Sequence, residues 1–128
     1  MIMAVYDNQN IFAKILRGEI PNSLVAENEH ALAFRDIAPA APTHVLVIPK
    51  GKYVTFRDFA RDGSKEEHSA FISAVADVVE AEGLSEDGYR LIVNNGANGR
   101  QEVPHIHMHV VGGRDVGPML KRWNKDES

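Results

Sequence analysis

The sequence predicts an α+β domain built on a mostly antiparallel sheet. Three observations predict it: short apolar, β-branched segments lie on both sides of one long amphipathic segment, turn-forming residues separate them, and no internal repeat is present. A chain of 128 residues fits one domain, which at this size buries well over half of its unfolded surface. The domain is expected at residues 10–116, followed by a C-terminal tail at 117–128 whose end, from 121 onward, is polar and loose.

Near the start, Ile11, Phe12, Ile15 and Leu16 recur at helical spacing, and Gly18 followed by Pro21 supplies a stop, so residues 10–17 read as a short helix. Segments 23–27, 31–35 and 44–48 read as strands, punctuated by Pro39, Pro42 and Pro49. In the third, Val45, Leu46, Val47 and Ile48 are apolar without alternation, which predicts a central strand covered on both faces. The main helix is expected over 65–82. Ser64 and Glu67 form a candidate capping box, Phe71, Ile72, Val75, Val78 and Val79 make one stripe, and Gly83 ends it. Residues 89–93 and 105–111 complete the strands, joined by a Gly- and Asn-rich loop over 94–103.

Cysteine is absent, which removes disulfides and thiolate metal sites and fits a reducing compartment. The first ten residues lack the basic flank and apolar run of a secretory signal, and no apolar stretch approaches the roughly 20 residues that span a bilayer. The expectation is a soluble, cytoplasmic protein with no membrane partner. A formal charge of -4 argues against broad nucleic-acid binding but leaves room for a local anion site, hence for a small phosphate ligand.

Three of the six histidines fall within five residues: His105, His107 and His109. On a strand these alternate positions share one face, with Ile106, Met108 and Val110 on the other. A solvated polar face would be the reading for a lone histidine, and three in five residues argue against it. A zinc site is a second reading, but ligands at i and i+4 on a strand lie about 13 Å apart, too far for three imidazoles to converge at ~2.0 Å without a bend. Two-histidine metal binding stays open. The third reading is covalent catalysis: a neutral imidazole attacks phosphorus while a neighbour protonates the leaving group. The loop from Asn94 to Gln101 precedes the histidines, and its glycines would let backbone N–H groups approach a phosphate.

With these residues the sequence resembles the histidine-triad family, whose hallmark is His-x-His-x-His followed by apolar residues, here from His105 to Val111. The likeness is strongest to its branch of histidine-triad nucleotide-binding proteins. It extends through Ile11-Phe12-x-Lys14-Ile15, Glu19-Ile20-Pro21, Ala33-Phe34-x-Asp36-Ile37, Ala41-Pro42-Thr43-His44, Val47-Ile48-Pro49-Lys50 and Gly112-Gly113-Arg114. The resemblance implies a five-stranded antiparallel sheet with two helices, dimerising into a continuous ten-stranded sheet. It also implies hydrolysis of purine nucleoside 5′-phosphoramidates and aminoacyl-adenylate-like conjugates to the monophosphate, with no metal and no cofactor. AMP or GMP conjugates would be the ligands.

By the same resemblance His107 is the nucleophile, its second nitrogen donating to the His105 carbonyl. His109 is the candidate donor to the leaving group, and His44 is the fourth active-site histidine. Asp36, with Ile37 beside it, would hold the ribose hydroxyls. Phe12, Ile15 and Ile20 would wall the base, and Asn94, Gln101 and Val103 would line the phosphate side. One residue departs from the pattern: Glu102 stands where many members of the branch have Ser. Either it points to solvent and a backbone N–H replaces the hydroxyl, or leaving-group preference differs. Trp123 in the divergent tail would be a dimer contact, a lid or a packed anchor. The competing functions are dinucleoside polyphosphate hydrolysis and a nucleotide-binding or protein-partner module with incidental activity.

Overall fold

The computed structural model describes residues 5–127. Five strands, β1 (Leu24–Glu27), β2 (Ala31–Arg35), β3 (Thr43–Pro49), β4 (Tyr89–Val93) and β5 (Met108–Gly112), form one antiparallel sheet in the order β1-β2-β3-β5-β4. The α+β expectation and the five-stranded sheet are thus observed. Three helices accompany it: α1 (Ile11–Leu16), α2 (Phe56–Asp62) and α3 (Lys65–Ala81).

Strand alternation sorts the sheet into two cores. Ala31 and Ala33 of β2, Val45 and Val47 of β3 and Val110 of β5 face α3, which buries Phe71, Ala74, Val75, Val78 and Val79 against them. Leu32, Phe34, Leu46 and Ile48 face the other way and meet Phe12 and Ile15 of α1. This is why the apolar run of β3 does not alternate: all seven of its residues are buried. Each such Val or Ile contributes about 1.5–3 kcal/mol relative to exposure.

The capping signals act as read. Asn10 caps α1, its side chain accepting from the Ala13 N–H at 2.9 Å, and Ser64 and Glu67 form the reciprocal box that starts α3. Four details differ from expectation. Ile72, counted in the α3 stripe, is 68% exposed, and Ala74 takes the inward place. The first strand begins at Leu24, beside a bulge between Leu24 and Ala26.

The helix α2 was not anticipated. Its sequence, FRDFARD, carries four charges and buries only Phe59, so it shows no stripe, yet a Thr55–Asp58 capping box starts it. Lastly, the histidine strand is shorter than the expected 105–111. The ladder begins at Met108, because Pro104 has no N–H to give and the N–H groups of His105 and Ile106 go to Val103 and Tyr53 instead.

Candidate active site

Although His105 and His107 precede the ladder, the face assignment survives. His109 sits in register with Leu46 and Ile92, on the α1 side of the sheet, and His107 lies against Phe12 with ring centroids 4.9 Å apart. His107 and His109 are 5.0 Å apart between centroids, and His44, in register with Val111, stands 5.1 Å from His109. The structure therefore brings His44, His107 and His109 together, while His105 turns into the core, fully buried.

Backbone partners fix which ring nitrogens carry protons. His107 Nδ1 lies 2.8 Å from the His105 carbonyl, which only accepts, so Nδ1 is protonated and a neutral ring leaves Nε2 bare. His44 Nδ1 accepts from the Ala40 N–H at 3.0 Å, so its Nε2 carries the proton and donates to His109 Nδ1 at 2.9 Å. Neutral His109 must then hold its proton on Nε2. That nitrogen is buried and has no hydrogen-bond partner among the described residues. Such an orphaned donor is costly in a fold unless something binds there. The result is one bare ring nitrogen and one unpaired ring N–H on adjacent imidazoles.

Electrostatics keeps these rings neutral. Burial lowers the pKa of His107, opposed by the His105 carbonyl and by the charges of Asp36 and then Glu102. Burial, with the neighbouring His107 and His44, lowers that of His109 to about 4. A neutral imidazole at physiological pH is what a nucleophile requires.

The remaining expected residues take up varied places. Asp36 accepts from the Ala38 N–H at 2.8 Å and lies 3.5 Å from His44 Nε2, whereas its neighbour Ile37 is 96% exposed. Phe12 and Ile15 are buried, and Ile20 and Val103 are partly buried against them. Asn94 lines a cavity of about 240 Å³ together with His44, His109, Ile92, Arg90 and Arg114. Gln101 spends its amide on the backbone, donating to the Val54 and Val103 carbonyls at 2.6 and 3.0 Å and accepting from the Gly96 N–H at 2.9 Å. It thus pins the 94–103 loop, and Gly96 does not offer its N–H to a phosphate. Glu102 is exposed.

Asp36, His44 and His109 bring ligand atoms within 4.8 Å of one another, the one place among the described residues where three such groups could hold a metal ion. His44 and His109 already satisfy each other there, and the triad histidines themselves do not converge. Sequence reasoning missed Arg90, Ile92 and Arg114. Arg90 and Ile92 alternate on the β4 face beside His109, a placement legible only once β4 is known to pair with β5.

The HIT domain family model matches residues 17–116. A purine nucleoside phosphoramidase of Escherichia coli is 47% identical over 112 residues, covering 88% of this chain and 93% of that protein. An HIT-like protein of Azospirillum brasilense is 52% identical over 117 residues, 91% and 96% of the two chains. Among solved structures, an HIT family hydrolase from Legionella pneumophila superposes with a TM-score of 0.75 at 48% identity, over 81% of this chain and 92% of that one. With the histidine cluster where the family's hallmark requires it, the chain belongs to the HIT domain family.

Proposed function

We propose that the protein hydrolyses purine nucleoside 5′-phosphoramidates and related adenylate conjugates through a covalent nucleotidyl-histidine at His107. The observation that carries this reading is the pairing of a bare His107 Nε2 with the unpaired N–H of His109. The similarity to the E. coli phosphoramidase supports the substrate class.

In the proposed reaction His107 Nε2 attacks the α-phosphorus and forms a P–N bond, and the Nδ1–H of the resulting imidazolium stays on the His105 carbonyl. The bond from phosphorus to the substrate nitrogen breaks. The anionic substrate bound against His109 favours a protonated imidazole there, and its Nε2–H passes to the departing amine, leaving His109 neutral. Water then attacks phosphorus, its proton returns to His109, and the monophosphate leaves with His107 neutral again. No metal or cofactor takes part. Asp36 accepts the ribose hydroxyls, and Phe12, Ile15 and Ile20 flank the base.

We extend the reading to a cytoplasmic homodimer. No described helix is long and apolar enough to cross a membrane. The edge strand β4 leaves Tyr89 and Leu91 45% and 43% exposed, and an unpaired apolar edge favours pairing with a second copy into a ten-stranded sheet. The test is AMP release from adenosine 5′-phosphoramidate under chelation, by wild type and His107→Ala, with diadenosine polyphosphate in parallel. Wild type is expected to prefer the phosphoramidate, with the variant down about a thousandfold or more. Preference for the dinucleotide, or AMP binding without turnover of either substrate, would overturn the reading.

A further inference from the structure

We infer that Tyr6 is a positioning residue for this reaction: its hydroxyl fixes the His105 ring, and through it the carbonyl that aligns the His107 imidazole. The inference rests on the His107 reading above.

Because the β5 ladder begins at Met108, sheet pairing does not hold the His105 carbonyl, on which the orientation and tautomer of His107 depend. Two anchors hold this segment: the Ile106 N–H, in the same peptide group as that carbonyl, donates to the Tyr53 carbonyl at 2.9 Å, and the His105 side chain fixes the Cα on the other side of it. Fully buried, that side chain reaches the Pro49 carbonyl through Nε2 at 2.8 Å and the Tyr6 hydroxyl through Nδ1 at 2.5 Å. The carbonyl only accepts, so Nε2 carries the proton and a neutral ring presents Nδ1 as a lone pair. Tyr6 must therefore donate, a role that phenylalanine cannot fill.

Charge states agree. Burial pushes the Tyr6 phenol above its ordinary pKa of 10.0, so it keeps its proton, and burial pushes His105 down to about 4. The ring of Tyr6 also meets that of His105 edge-on, with centroids 5.6 Å apart, while Phe12 stands edge-on to both His105 and His107. Without the Tyr6 hydroxyl, Nδ1 becomes a buried acceptor with no donor. The opposite tautomer would aim a lone pair from Nε2 at the Pro49 oxygen, so the ring and its Cα would have to shift, tilting the His105 carbonyl about the Ile106 N–H that Tyr53 holds. The consequence reaches the substrate only through the direction of His107 Nε2, so it falls on kcat and not on KM.

The test is Tyr6→Phe in the full chain, read by steady-state hydrolysis of adenosine 5′-phosphoramidate and by ¹⁵N NMR of the histidine rings. The expected result is a kcat about tenfold lower with KM within about twofold. The His105 nitrogens should depart from a pure Nε2–H pattern, and the His107 Nδ1–H resonance should move. Wild-type kcat would overturn the inference. So would a loss of activity with both sets of ring signals unchanged, since a purely structural contribution lowers activity without touching the tautomer. His107→Ala run alongside separates the two readings. Turnover by that variant would remove the nucleophile assignment, while the ring signals of Tyr6→Phe would still decide whether Tyr6 sets His105.

Discussion

Acidification from pH ~7.5 to ~4.5 should weaken the fold through His105, by an amount that the structure sets. Burial lowers this histidine from 6.5 to about 4, the Pro49 carbonyl offsetting only part of the effect. As pH falls through 6.5 the unfolded chain takes up a proton that the folded chain refuses until about 4. Stability is therefore complete above 6.5, falls across the window from 6.5 to about 4 and levels off below it. Each pH unit in that window is worth about 1.36 kcal/mol, so the loss by pH ~4.5 comes to about 2–3 kcal/mol. His107 and His109 are lowered too and add losses of the same sign, whereas Glu67 and Glu82 are held below their ordinary pKa of 4.5 and release their contributions only at more acid pH. His105→Gln isolates the effect, because glutamine keeps an amide in the same space without titrating. Urea unfolding of both proteins at the two pH values is the assay. Wild type should lose about 2–3 kcal/mol more than the variant. Equal losses would refute a neutral, desolvated His105.

Further outcomes follow from the same geometry. The kcat of the wild type should hold steady as pH falls below 6.5 and decline only at more acid pH, because the bound substrate keeps His109 protonated while burial keeps His107 neutral; a kcat–pH profile whose acid side breaks at 6.5 or above would contradict this. Asp36→Ala should raise KM for a ribonucleoside phosphoramidate about tenfold and leave that for the 2′,3′-dideoxy analogue nearly unchanged, measured by steady-state kinetics with both substrates. Gly113 has φ 89°, and an added Cβ would lie 2.9 Å from Cβ of Pro42, so Gly113→Ala should cost about 1–3 kcal/mol in urea unfolding.

Much of the fold was legible because local signals and tertiary demands agree. The Ser64–Glu67 box and the Phe71, Val75, Val78 and Val79 spacing define α3, and the unbroken apolar run of β3 announces a strand between two layers. The helix α2 was not legible, since one buried residue in seven leaves no periodicity. Ile72 shows the converse, an apolar residue beside the stripe that the fold leaves in water. For the site, the histidine pattern and its family resemblance named candidate residues, of which His44, His107 and His109 come together in space, and alternation set one face against the other. The proton positions were out of reach, however. They depend on Pro49, Ala40 and Tyr6, and Tyr6 lies 99 positions from the His105 it contacts. Nor could the sequence show that Gln101 turns its amide back onto the loop, which required knowing where the Val54 carbonyl lies.

The measurement that tests the central claim most directly is a rapid acid or denaturant quench during turnover of adenosine 5′-phosphoramidate, followed by peptide mass spectrometry. A double displacement predicts an adenylyl group on the ring of His107, appearing before AMP, decaying as AMP accumulates and absent from His107→Ala. Full turnover by wild type with no adduct at any time, together with activity retained in His107→Ala, would show that water attacks phosphorus directly and would contradict the account.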